Sequence, residues 1–86
     1  MPEICRFYGI IIYLYVKDHN PPHIHAEYGE YEALFNINTN EVYSGKLPSR
    51  AERLVKEWIE LHQIELIEDW NNAKTGNTIF KITPLK

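Results

Sequence analysis

Two runs of alternating residues on either side of Gly29 place the strongest constraint on the fold. In residues 23–28, His23 and His25 fall on one face and apolar side chains fall on the other, and residues 31–37 continue this period of two. Gly29 can adopt the positive φ that a tight turn between two strands requires. The pattern therefore predicts an antiparallel β-hairpin.

Further strands are predicted on both sides of this hairpin. Residues 7–16 are dense in β-branched and aromatic side chains, which is typical of a central strand covered on both faces. Turn-forming residues at 38–40 lead to a short strand at 41–44, and residues 78–83 alternate briefly, as an edge strand would. The first half of the chain is thus predicted to be an antiparallel meander.

One long helix is predicted from Ser49 to about Trp70. Ser49 and Glu52 have the spacing of a capping box, in which each side chain bonds a backbone N–H group at the helix start. Apolar or weakly polar residues then recur on one side with the helical period: Ala51, Leu54, Val55, Trp58, Leu61, His62 and Leu66. Turn residues at 71–77 end the helix. The expected class is α+β, a four- or five-stranded, mainly antiparallel sheet with this helix on one face.

Length and charge limit the classes of function. The 86 residues form a single domain, 1–86, and a core this small is expected to gain stability from a metal ion or from homodimerisation. The net charge of −3 provides no positive field for non-specific nucleic-acid binding. With Cys5 as its one cysteine, the chain forms no internal disulfide, which fits a reducing cytoplasm. No transmembrane segment or signal peptide is recognisable, so a cytoplasmic location is expected.

Three of the four histidines lie within seven residues of one another. His23 and His25 leave the same face of a strand about 7 Å apart, and the two preceding prolines can return His19 towards them. Three histidines with an open fourth position commonly hold catalytic zinc, so His19, His23 and His25 are candidate ligands for zinc or another divalent metal. A metal-free role, with the ring nitrogens forming hydrogen bonds or contacting an anion, is the favoured alternative. Asp18 is expected to cap the loop, or else to orient His19.

The fourth histidine, His62, shares the apolar face of the predicted helix with Glu65 at i, i+3. Because buried polar groups need partners, we expect the two to pair with each other, with Arg6 or with the strand histidines. They form either a satisfied core pair or part of one polar pocket, depending on which sheet face the helix covers. The candidate catalytic residues are therefore His19, His23, His25, His62 and Glu65.

An Asp-His-x-Pro-Pro-His-x-His block is formed here, without substitution, by Asp18, His19, Pro21, Pro22, His23 and His25. Shorter motifs accompany it at 7–12, 28–31, 45–48 and 82–85. Together these residues resemble the bacterial domain-of-unknown-function family four-one-six-zero over nearly the whole chain. The resemblance implies a short stand-alone bacterial protein, often encoded beside another small protein in pairs proposed to be toxin–antitoxin-like modules. It implies no established reaction.

Three functions remain open at this stage. The first is a small regulatory or interaction protein that binds a protein partner in a toxin–antitoxin-like pair, through a sheet edge or the acidic outer face of the helix. The second is a metal-dependent hydrolase or nuclease, with the clustered histidines as ligands or acid–base groups and with His62 and Glu65 as supporting or general-base residues. The third is metal-free ribonuclease chemistry between two histidines, against which the absence of a strong basic groove counts.

Overall fold

The computed structural model describes residues 2–15 and 19–86. Its elements, in chain order, are β1 (Glu3–Phe7), β2 (Ile10–Tyr13), β3 (His23–Tyr28), β4 (Tyr31–Asn36), β5 (Glu41–Lys46), α1 (Ser49–Leu61) and α2 (Gln63–Thr75). All neighbouring strands are antiparallel, and the sheet order β1-β2-β3-β4-β5 follows the chain. The predicted α+β class and antiparallel meander are confirmed. So are the hairpin around Gly29 and the strand that begins at Glu41, which extends to Lys46.

The strand predicted over residues 7–16 is wrong, because this segment contains a tight turn. Tyr8 (φ 48°) and Gly9 (φ 80°) both adopt left-handed conformations and connect β1 to β2. Two consecutive residues with positive φ are typical of the hairpin turn whose twist matches that of the flanking strands. Tyrosine rarely takes this conformation, so the pattern did not indicate a turn. Val16, the last residue of the predicted strand, lies outside the described residues.

The single helix predicted from Ser49 to about Trp70 is instead two consecutive helices. The chain leaves helical geometry at His62, whose φ of −122° and ψ of 24° end α1 and begin α2. Helix α2 then continues beyond the predicted end and finishes at Gly76, which has a left-handed φ of 80°. A glycine in this conformation is the usual C-terminal stop, because it has no Cβ to clash with the preceding carbonyl.

The predicted capping box at the start of α1 is also wrong. Pro48 is the residue that precedes the helix, and no side chain caps it. Ser49 is already helical, so its hydroxyl is past the position from which a cap can accept the exposed N–H groups. The Glu52 carboxylate instead forms an i, i+4 ion pair with Lys56 at 3.3 Å.

Helix α1 covers one face of the sheet. Six sheet side chains on that face are fully or almost fully buried: Ile10, Ile12, Ile24, Ala26, Ala33 and Phe35. Helix α1 contributes four buried residues to the same core, namely Ala51, Val55, Trp58 and Ile59. The predicted apolar stripe is therefore confirmed at three of its α1 positions, whereas Leu61 is 65% exposed. The helix breaks at His62, directly after Leu61. Leu66, the last residue of the predicted stripe, is buried in the core from α2.

The segment 78–83 runs beside β1, but the predicted edge strand is wrong because no ladder forms there in the described chain. The Ile82 N–H donates to the Ile4 carbonyl (2.9 Å), and the Trp58 indole N–H donates to the Thr83 carbonyl (2.8 Å). These two bonds hold the segment over the β1 side of the core. Within the described ranges, no helix combines the length and the apolar character needed to cross a membrane.

Candidate functional site

The sheet register places His23 and His25 on the face opposite α1. Ile24 and Ala26, which alternate with them along β3, are completely buried on the α1 side. Successive strand side chains point to opposite faces, so the two histidines belong to the other face, called here the open face. The register thus confirms the prediction that His23 and His25 share one face of the sheet.

His23 is buried among rings that come from three different elements. Its ring centroid lies 5.1 Å from that of Trp70 in α2, 5.2 Å from that of His25 and 5.7 Å from that of Tyr43 in β5. His23 is only 5% exposed. Because Trp70 belongs to α2, this helix is held at the end of the sheet where β3 begins.

The tautomer of His23 follows from its hydrogen bond. Its Nδ1 lies 2.7 Å from the Pro21 carbonyl oxygen. A carbonyl only accepts, so Nδ1 is the donor and carries hydrogen. In the neutral ring, Nε2 is then the acceptor nitrogen.

His25 continues the same group of rings towards β2. It is half-buried, and its ring lies edge-to-face against Tyr15 with the centroids 3.9 Å apart. Tyr15, His23, His25, Tyr43 and Trp70 are together called the histidine–aromatic cluster. It brings together two of the three histidines that the sequence singled out.

The structure shows His19 as an exposed residue of the loop that precedes β3. Asp18, predicted to cap this loop or to orient His19, lies outside the described residues. Within residues 2–15 and 19–86, no group of three or more histidine, cysteine, aspartate or glutamate side chains is placed to hold a metal ion. Metal binding by His19, His23 and His25 therefore stays a proposal.

His62 and Glu65 form the second polar feature that the sequence indicated. The His62 Nδ1 lies 2.7 Å from the Glu65 Oε1, and the His62 ring rests 5.6 Å from the Trp58 ring. Their side chains are 16% and 51% exposed, so Glu65 lies at the surface and not in the core. Of the predicted pairings, the one between His62 and Glu65 is therefore observed. Arg6 instead forms an ion pair with Glu3 at 2.9 Å.

The two polar features have different surroundings. His62 borders a groove of about 470 Å³ whose other walls include Leu61 and the C-terminal residues 83–86. His23 lies against Trp70, with the rest of the histidine–aromatic cluster beside it. The contacts of each group thus favour two separate features over one common polar pocket.

Asp69 is a buried polar residue that the sequence reasoning missed. It is 2% exposed, its Oδ1 accepts the Phe80 N–H at 2.9 Å, and its Oδ2 has no hydrogen-bond partner among the residues described. Burial raises the pKa of the Asp69 carboxyl, because desolvation penalises the charged form. Its spacing from Leu66 (i−3) and Ala73 (i+4) places it on the buried stripe of α2, a signal that the sequence contained.

The raised pKa of Asp69 predicts a pH-dependent contribution to stability. The folded state favours the protonated carboxyl more than the unfolded chain does, so protonation of Asp69 stabilises the fold. This contribution to the free energy of unfolding is complete below the ordinary pKa of 3.8 and is lost as the pH rises through the raised pKa. Asp69→Asn keeps the acceptor for Phe80 and removes the titration. On acidification from about pH 7 to about pH 4, we expect the wild type to gain stability relative to Asp69→Asn in urea unfolding.

Glu60→Gln is the control, since Glu60 is an exposed carboxylate on α1, outside the helix that carries Asp69. It should follow the wild-type pH profile. Parallel profiles for the wild type and Asp69→Asn would show that burial of this carboxyl does not perturb its protonation.

Comparison with known proteins assigns the chain to a family without assigning it a reaction. No curated protein and no solved structure matches it. Residues 9–71 match the family described as "Domain of unknown function (DUF4160)". The matched range contains β2 to β5, α1, most of α2, and both polar features described above. Because the match spans most of the sequence, the chain belongs to this domain-of-unknown-function family.

Proposed function

We propose that this chain is a small bacterial regulatory or interaction protein that binds a protein partner as one half of a toxin–antitoxin-like pair. The open face of the sheet carries this proposal. In the described part of the chain, α1 packs against the opposite face, and the ring of Trp70 from α2 contacts this face at His23, where β3 begins.

The open face has the composition of a protein interface. Cross-strand register aligns Tyr13, His25 and Leu34 in one row, and all three are half-buried. The adjacent row contains Ile11, followed by the charged residues Glu27, Glu32 and Lys46. A central row of aromatic and apolar side chains beside a charged margin is the usual arrangement of an interface core and its rim.

The test is co-purification with the product of the neighbouring gene, followed by titration calorimetry. Leu34→Lys places a charge at the centre of the open face, and we expect it to weaken partner binding at least about tenfold. Leu34 is half-buried, so circular dichroism should show an intact fold.

Ile64→Lys is the matched control, because Ile64 is 80% exposed on α2 and is not part of the sheet. We expect it to bind like the wild type. Wild-type affinity in Leu34→Lys, or loss of binding in Ile64→Lys, would move the contact surface from the open face to the helices.

A second candidate function, a metal-dependent hydrolase or nuclease, is favoured by the hydrogen bond that fixes His23. Metal-binding histidines usually donate their other ring nitrogen to a carbonyl or carboxylate, as His23 Nδ1 does to Pro21. His25 is close enough to add a second ligand, and His19 or a water would complete the set. A bound divalent ion would activate water for attack on a substrate. The His62–Glu65 pair is the general-base candidate, with His62 Nδ1 fixed by the carboxylate.

Metal analysis of the untagged protein separates the two candidate functions. Near-stoichiometric zinc, iron or manganese in the wild type, absent from a His23→Ala/His25→Ala variant, would favour the hydrolase. A metal-free wild type, even after reconstitution, would leave the interaction function.

A further inference from the structure

We propose that β5 pairs with β5 of a second copy of this chain, antiparallel and around a two-fold axis, so that two sheets become one continuous ten-stranded sheet. The observation behind it is that β5 is an exposed edge whose charges and side-chain faces are both self-complementary. This inference concerns the edge of the sheet and does not rest on the interaction proposed for the open face.

The two edges of the sheet differ in what lies beside them. On the β1 edge, the Ile82 N–H donates to the Ile4 carbonyl, and the C-terminal segment runs alongside. On the other edge, β5 pairs with β4 alone among the described elements. Five of its six residues are exposed, and Val42 is half-buried. An edge strand with this exposure is a template for another strand.

The charges at the ends of β5 specify an antiparallel second copy. Glu41 begins the strand and Lys46 ends it, both are exposed, and neither forms an ion pair with another described residue. In a two-fold arrangement centred between Tyr43 and Ser44, Glu41 of each copy lies opposite Lys46 of the other. Both ends of the paired strands then carry opposite charges, which is favourable across antiparallel strands.

The β-bulge in β5 makes the faces match in this register. Phe35 pairs with Val42 and Leu34 pairs with Ser44, so Tyr43 is the extra residue, and its ring lies on the open face against His23. From residue 41 to 46 the side chains therefore follow the order open, covered, open, open, covered, open. This order is the same in both directions, so every opposed pair in the two-fold arrangement shares a face, as antiparallel pairing requires.

A bulge and a lysine are also devices by which edge strands avoid pairing. A lysine without an opposite charge would repel a second copy, but here the same strand supplies Glu41 at the matching position. Pairing would satisfy the outward-facing N–H and C=O groups of β5, a gain for a chain whose length limits its core.

Charge reversal on β5 tests the inference by sedimentation velocity of the purified chain alone, over a wide range of concentration. The wild type should associate to a dimer. Glu41→Lys and Lys46→Glu each place like charges opposite one another at both ends, and each should weaken association at least about tenfold. The double variant restores opposite charges in exchanged positions and should return to within about threefold of the wild type.

Glu57→Lys, at an exposed position of α1 beside the C-terminal residues 83–86, makes the same charge change on the β1 side of the molecule and should leave association unchanged. A wild type that stays monomeric at every concentration, single variants that still dimerise like the wild type, or a double variant that fails to recover would each overturn the proposal. Circular dichroism confirms that each variant is folded. Because the partner protein is absent, failure here leaves the test of the open face intact.

Discussion

Trp58→Ala is expected to lower the free energy of unfolding by about 3–5 kcal/mol, which is the range for removing a buried tryptophan or phenylalanine ring. Trp58 is completely buried, and its ring lies 5.6 Å from Phe7 at the junction of α1 and β1. Its indole N–H also donates to the Thr83 carbonyl. The substitution therefore opens a cavity and also releases the C-terminal segment.

This loss is large for a domain of this size, because total stability commonly amounts to about 0.05–0.15 kcal/mol per residue. We therefore expect Trp58→Ala to lose a large share of the total stability and to unfold at a clearly lower urea concentration than the wild type. Urea unfolding followed by circular dichroism measures the change. Intrinsic fluorescence is unsuitable, since the substitution removes one of the two tryptophans.

Trp58→Phe is the matched control, because it keeps an aromatic ring against Phe7 and removes the indole N–H. We expect it to lose about 1–3 kcal/mol, from one hydrogen bond and a smaller cavity. If the alanine and phenylalanine variants were equally stable, ring burial at this position would not be what holds α1 on the sheet.

The central hairpin could be predicted because its information is local. Alternation over residues 23–28 and 31–37 and a glycine between them determine strand, turn and face together. The turn at Tyr8 and Gly9 could not, because Tyr8 adopts a positive φ that its residue type disfavours. The pairing of β1 with β2 over the core supports this conformation, and that pairing is tertiary information.

The break between α1 and α2 was hidden for a similar reason. Residues 49–70 have no proline or glycine, and their propensities alone support one continuous helix. The chain nevertheless turns at His62, where Gln63 donates its side-chain N–H to the Ile37 carbonyl at 2.8 Å and ties α2 to the end of the sheet. A contact between residues so distant in sequence leaves no periodic signal.

In the candidate site too, the features that depend on local sequence could be predicted and those that depend on tertiary contacts could not. The common face of His23 and His25 and the pairing of His62 with Glu65 were accessible, since both follow from short spacings along the chain. The contact of His23 with Trp70 was not, because it joins β3 to α2 across the fold. That contact buries His23 and gives the histidine–aromatic cluster its shape.

Gly45→Ala is the second large effect, and we expect it to cost about 2–5 kcal/mol of unfolding free energy. Gly45 has a φ of 73°, a region that is unfavourable for residues with a Cβ. A Cβ built there would also overlap the Glu32 carbonyl oxygen and lie 3.1 Å from the Ala33 Cα. Both atoms belong to the β4 backbone, so relief of the overlap requires β5 to move away from β4.

Gly29→Ala separates the cost of the left-handed conformation from the cost of the overlap with the β4 backbone. Gly29 also has a left-handed φ, 59°, but a Cβ there meets nothing within 4 Å, so this variant should cost only the conformational penalty of about 1–2 kcal/mol. The difference between the two variants in urea unfolding measures the resistance of β5 to displacement. Equal losses would show that β5 shifts freely on β4. An edge strand that loose could not hold Glu41 and Lys46 in the register that pairing with a second copy needs.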